Sequence, residues 1–180
     1  MKAWRGWYHV NGNTYGTWLP GDPRGWRSRH HRIHVDGDYR NPPPTGSGNA
    51  RLRRSKRLMK RPPVYLTPTQ RRIAVEALVE RLLLERHELL AAGVTNVHYH
   101  ILGRFGDDEV RQPVGRAKKH ASHELGKAGL PGTVWAVRCR PLQIRDREHQ
   151  LNTFHYIVDH IEQVGAIWTF RDRLLASPDE

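Results

Sequence analysis

The 180-residue sequence has a single cysteine, Cys139. That excludes a disulfide or a cysteine-built zinc site within one chain, and the lone thiol reads as a buried structural group. Acidic residues are scarce: 18 Asp and Glu stand against 30 Lys and Arg, for a formal charge of +12 and a pI near 10.5. Such a surface attracts polyanions, nucleic acid first and an anionic membrane second. Long apolar runs are also missing. None approaches the roughly 20 residues that span a bilayer, and residues 1–10 lack the pattern of a signal peptide. The expectation is therefore a cytoplasmic protein with no membrane partner. The length fits one domain with a sizeable core. Histidine is the residue in surplus, twelve in all. That invites a search for metal sites, although scattered surface imidazoles would give the same total.

Along the chain, Trp4–Val10 is aromatic and β-branched and reads as a first strand. It runs into Tyr15-Gly-Thr-Trp-Leu-Pro-Gly-Asp-Pro-Arg-Gly-Trp26, too rich in Gly and Pro for regular structure, and Asn41–Asn49 reads as a flexible loop. The basic run Arg51–Arg61 follows. Thr67-Pro68-Thr69-Gln70 predicts a helix start: Thr caps, Pro fits the first position and Gln returns a bond. That helix should run to about Glu88. Leu89–Val94 and Val97–Phe105 read as strands around a turn at Thr95-Asn96, and Val110–Lys127 as a polar helix. Val134–Cys139 reads as another strand and Asp146–Val164 as a last helix, closed by Gly165. Strands and helices mix without regular βαβ alternation, which predicts an α+β fold with a largely antiparallel sheet.

Two constellations carry chemistry. In His98-Tyr99-His100, residues two apart on a strand share a face, so both imidazoles project side by side and can chelate one divalent ion. A pair of ordinary histidines on a solvated face fits the spacing equally well. In the last helix, Leu151, Phe154, Ile157, Val158, Ile161 and Val164 form an apolar stripe. Tyr156 lies roughly 150° from the stripe centre, with His160 one turn beyond it on the polar face. A structural tyrosine would bury its ring in the stripe, so this one is a candidate for chemistry or simply a surface residue. Taken together, His98, His100 and His160 would hold an ion with open positions for a scissile phosphate. Tyr156 would be the nucleophile.

These residues resemble the HUH single-tyrosine transposases, and within them the REP-associated tyrosine transposases. The paired-histidine motif matches His98-Tyr99-His100, with Tyr99 as the intervening hydrophobic residue. The C-terminal tyrosine helix resembles the stretch from Tyr156 to Ile167, and Tyr15–Trp26 looks like a signature of one branch. The likeness spans about residues 8–168, including Val134-Trp135-Ala136. It implies a ferredoxin-like α+β fold, one domain over 1–180 with a loop-rich basic insertion at about 20–66. It also implies a single-stranded or hairpin DNA substrate, a Mn²⁺ or Mg²⁺ cofactor, and an enzyme that nicks and rejoins DNA through phosphotyrosine. Family members include dimers that exchange the tyrosine helix, so a homodimer is possible. Members usually carry Asn or Gln four residues after the tyrosine, where this chain has His160. The family also often places Asn immediately before the first histidine, where this chain has Val97. Three imidazoles would favour Mn²⁺ over Mg²⁺.

Arg53, Arg54 and Arg57, with Lys118 and Lys119, are candidates for tracking a phosphate backbone; a solvated basic arm is the plainer reading. Arg29–His34 reads as an exposed loop. Trp18 and Trp26 are candidates for stacking on unpaired bases or for packing on the sheet. Two other functions compete with the nuclease. One is a catalytically weakened or domesticated protein that binds hairpin DNA. The other is a histidine-triad hydrolase, which needs a further histidine where this chain has Leu102.

Overall fold

Strand β5 (His98–Arg104) lies at the centre of a five-stranded sheet with β1 (Trp7–Asn13), β4 (Glu88–Val94), β6 (Arg140–Gln143) and β7 (Ala166–Thr169). The strand order is β6-β1-β5-β4-β7, and every neighbouring pair is antiparallel. Two helices, α2 (Pro68–Leu84) and α3 (Arg111–Lys127), connect the strands so that β1-α2-β4-β5-α3-β6 forms the ferredoxin-like order, with β7 added at one edge. Helices α4 (Arg147–Glu162) and α5 (Phe170–Leu175) flank β7 in sequence. The computed structural model describes residues 4–24, 26–27, 34–35, 44, 46–106, 109–162 and 165–175; for residues 27, 34–35, 160–162 and 173–175 this covers the backbone only.

Side chains alternate across each strand, so the β1–β5 register assigns the two faces. One face carries Tyr99, Ile101, Val10 and Val94, all inaccessible to solvent, and is covered by the paired helices α2 and α3. The other face carries His98, His100 and Leu102. There Leu102 joins Ala91, Ile144 and Ile157 of α4 in a separate core, with Trp7 and Phe154 packed at its margin. Each face thus has its own apolar anchor, and α4 is held over the strand that bears the histidines.

Local chemistry sets the element ends. The expected capping box at α2 is present: Thr67 Oγ1 accepts the Gln70 N–H at 3.3 Å, and Gln70 Oε1 accepts the Thr67 N–H at 3.0 Å. The helix stops at Leu84 rather than near Glu88. Arg86 turns left-handed (φ 63°), and the N–H groups of Arg86 and His87 close onto the Leu83 and Leu82 carbonyls. Strand β1 begins at Trp7 and runs on to Asn13, later than its apolar pattern predicts. The strand expected at Val134–Cys139 is absent apart from one bridge, Thr14 to Trp135. The carbonyls of Ala136 and Val137 bond the Lys118 ammonium instead of a neighbouring strand, and pairing begins only at Arg140. β7 and α5 follow Gly165, where the sequence pattern gave no element.

The chain divides into two compact units, residues 1–14 with 65–180 and Tyr15–Val64. The second unit covers most of the stretch expected as a basic insertion at about 20–66. It contains α1 (Asn49–Arg57) and a short pairing of β2 (Trp26–Arg27) with β3 (His34–Val35). The Tyr15–Trp26 motif knits this unit together. Tyr15 takes the Val64 N–H on its carbonyl and the Lys60 N–H on its hydroxyl, and Asp22 binds the Arg24 guanidinium at 2.7 and 2.8 Å. Gly21 (φ 94°) lies so close to α1 that a Cβ would overlap Leu52 and the Gly48 carbonyl. Residues 41–43 and 45 of the expected loop, and all of residues 29–33, lie outside the described residues. Among the described residues no helix is long and apolar enough to cross a membrane.

Candidate active site

Strand β5 delivers His98 and His100 to the α4 face, as the period of two requires, with ring centroids 4.9 Å apart and planes at 88°. Tyr99 between them goes to the opposite face, where burial first, and the neighbouring Cys139 second, push its phenol's pKa well up. A Cβ on Gly12, directly across from Tyr99, would overlap that ring, so glycine is required there.

Helix α4 brings Tyr156 over the histidines. Its ring centroid lies 5.4 Å from that of His100 and 6.1 Å from that of His9, edge to face in both cases. The helix is seated differently from the apolar stripe expected for it. Leu151 is 45 % exposed, while Thr153 is buried beside Ile157, its hydroxyl donating to the His149 carbonyl at 2.7 Å. The buried face is therefore turned toward Thr153. Tyr156 flanks that face instead of standing opposite it, which is how it reaches the sheet while remaining 47 % exposed. Asp146 starts the helix by accepting the His149 N–H at 2.7 Å. The backbone at position 160 is one turn beyond Tyr156; the His160 side chain lies outside the described residues.

His9 was not among the expected site residues. Its Nε2 lies 2.9 Å from His100 Nδ1 and the rings stack at 5.1 Å; both residues are buried. Burial lowers the His9 pKa to about 4, helped by the positive fields of His149 and Arg140, so the ring is neutral at neutral pH. Asn11 and Asn13 share this face, directly across from His100 and His98, and Arg140 pairs with Asn11 from β6. The alternation His9-x-Asn11-x-Asn13 is the signal that could have marked a polar strand face, but the strand was expected to end at Val10, and it runs on to Asn13.

The donor set suits a divalent ion that accepts nitrogen ligands: two imidazoles share one face beside a tyrosine ring. Among the described residues, which leave out the His160 side chain, no three His, Cys, Asp or Glu side chains are gathered as a cage.

The candidate phosphate contacts separate by location. Arg53, Arg54 and Arg57 are exposed on α1 in the second unit, and Lys119 is exposed on α3. Lys118 does not fit that role. It is buried, with its ammonium donating to Ala136 and Val137 carbonyls at 2.7 and 3.2 Å, and so it anchors a loop. Trp26 is buried with the Arg51 guanidinium over its ring. Trp18 is 43 % exposed with Arg24 over its ring.

No family model matches the chain, and no curated protein matches its sequence. Among solved structures, the chain shares the fold of a REP-associated tyrosine transposase bound to a REP hairpin. The match covers 96 % of this chain and 82 % of that one, with 15 % identity and a TM-score of 0.51.

Proposed function

We propose that the chain is a metal-dependent transposase of the HUH single-tyrosine kind, which cuts and rejoins single-stranded DNA near a hairpin through Tyr156. The observation that carries this reading is the half-exposed Tyr156 ring set 5.4 Å from the ring of His100, itself paired with His98. The shared fold with a transposase bound to a hairpin supports it.

His98 and His100 would hold the ion, Mn²⁺ or Mg²⁺, with His160 as the third ligand. Bound there, it supplies a Lewis acid for a phosphate oxygen of the scissile linkage. Tyr156 does the bond-making. Its Oη attacks phosphorus and loses its proton, an O–P bond forms, and the bond from phosphorus to one sugar oxygen breaks. That oxygen leaves with its electron pair and takes up a proton to become a hydroxyl. The phosphotyrosine keeps the phosphodiester energy, so a DNA hydroxyl can reverse the step without ATP. Exposed Arg53, Arg54, Arg57 and Lys119 would hold the backbone, which carries no sequence information but sets affinity.

The test is incubation with a labelled hairpin oligonucleotide and either ion, followed by denaturing electrophoresis. A labelled adduct is expected with wild-type protein and none with Tyr156→Phe, and more adduct in Mn²⁺ than in Mg²⁺. Tight hairpin binding with no adduct, across hairpins and ions, would reassign the chain as a binding protein that has lost catalysis.

A further inference from the structure

The ion-binding reading of His98 and His100 leaves His9 without a task, although it is buried and in polar contact with His100. An imidazole can ligate through one nitrogen only if that nitrogen carries a lone pair, and in a neutral ring the proton must then sit on the other nitrogen. For His100 the second nitrogen is Nδ1, and 2.9 Å from it lies His9 Nε2.

Either ring could donate along that line. If His9 donates, His100 Nδ1 accepts and Nε2 keeps a proton where a ligand lone pair is needed. If His100 donates from Nδ1, its Nε2 carries the lone pair. A neutral His9 can accept in this way by carrying its own proton on Nδ1. The geometry points to His9 as a positioning residue that accepts the Nδ1–H of His100 and so fixes the tautomer in which His100 Nε2 can bind a divalent ion. This rests on the ion-binding reading of the paired histidines.

The surroundings hold the contact in place. His9 lies on β1, two residues before Asn11, which pairs directly with His100, so both rings project from the same face of adjacent strands. They stack with planes 24° apart, and the Tyr156 ring closes over both. Rings so enclosed have little freedom to flip. A partner of this kind orients a metal-ligating histidine and raises its basicity, and its loss commonly weakens metal binding about 10- to 100-fold.

The test reads the tautomer directly. In ¹⁵N-histidine-labelled protein at about pH 8, above the ordinary imidazole range, His100 should show a protonated Nδ1 and His9 an unprotonated Nε2. Mn²⁺ titration of the whole chain should then show affinity falling about tenfold or more in His9→Leu and largely recovering in His9→Gln, whose amide oxygen can accept. Circular dichroism melts show which variants remain folded. A proton on His100 Nε2 in the wild type would overturn the assignment, as would a folded His9→Leu that binds Mn²⁺ unchanged. So would Zn²⁺ shifting the His9 Nε2 resonance as a ligand's, which would make His9 part of the first coordination sphere. A wild type with no affinity for any divalent ion would sink the ion-dependent nuclease, yet the same spectra would still report which ring donates.

Discussion

On the sheet face covered by α2 and α3, Tyr99 is fully buried, its hydroxyl meets no hydrogen-bond partner among the described residues, and burial pushes its pKa up. On the opposite face Tyr156 is half exposed and rests against two imidazoles. Both are tyrosines within reach of the same strand, yet only one can meet a large anionic substrate. The difference lies in the pleat. Tyr99 separates His98 from His100 in sequence but is displaced through the full thickness of the sheet from them, while Tyr156 comes from a helix 50-odd residues on. The sharpest way to break this contrast is to exchange the losses. Tyr156→Phe should reduce covalent adduct to background. Tyr99→Phe should leave adduct formation intact and hold or slightly raise the melting temperature, because it removes a buried hydroxyl that has no partner. Loss of adduct in folded Tyr99→Phe would mean that the wrong face has been assigned.

The basic residues divide in the same way, into buried and exposed. Lys118 and Lys119 are neighbours on α3, but only Lys119 faces solvent. Lys118→Met should lower stability by about 2 kcal/mol, because two loop carbonyls lose a charged donor, while the salt dependence of DNA binding stays the same. The triple replacement Arg53→Ala, Arg54→Ala and Arg57→Ala should do the reverse. It leaves the melting temperature near wild type, since α1 buries none of its residues, and flattens the slope of log affinity against log salt by about 2 if all three touch phosphates of a single strand. Equal slopes would remove α1 from the DNA-binding surface.

How much of this was legible in the sequence follows the range of the forces involved. The Thr67–Gln70 capping box and the His98/His100 pairing on one face depend on residues within four positions of one another, and both were readable. The α+β class and antiparallel sheet followed from element order. The seating of α4 did not, because Thr153 satisfies its hydroxyl on the His149 carbonyl and can be buried where the apolar pattern favoured Leu151. The missing strand at Val134–Cys139 has a similar cause: β-branched residues signalled a strand, but a lysine 18 positions away takes up its carbonyls. His9 escaped notice because its partner lies 91 residues along the chain. The strand was expected to end at Val10, and only strand pairing shows that Asn11 and Asn13 continue a polar face against His100 and His98.

The α2–α3 side also contains an acid-sensitive joint. Glu85, at the end of α2, accepts hydrogen bonds from Arg116 of α3 at 2.7 and 2.8 Å and from Arg81 at 2.8 Å. The Arg116 bonds, helped by Arg81 and opposed by burial, lower its pKa from 4.5 to about 2. A carboxylate with a depressed folded-state pKa stabilises above its unfolded value and loses that contribution as pH falls through the folded one. Thermal melts should therefore show wild type losing stability between about pH 4.5 and pH 2 by an increment that Glu85→Gln lacks, so the two curves converge in acid. Parallel curves throughout would mean the carboxylate is not engaged in solution.

The smallest expected effect compares the two helix ends on that side. Helix α3 closes with Gly129 in the left-handed region (φ 86°), its N–H and that of Leu130 returning to Gly126 and Leu125. Helix α2 closes with the same two-bond pattern but places Arg86 there (φ 63°). A side chain in that conformation costs on the order of 1 kcal/mol that glycine avoids. Arg86→Gly should therefore raise stability by up to about 1 kcal/mol, less whatever the looser unfolded chain takes back, whereas Gly129→Ala should lower it by a similar amount. Denaturant midpoints measure both. If Arg86→Gly is destabilising instead, the arginine side chain must hold a contact that outweighs its backbone strain, and the two ends would be alike in shape but not in what stabilises them.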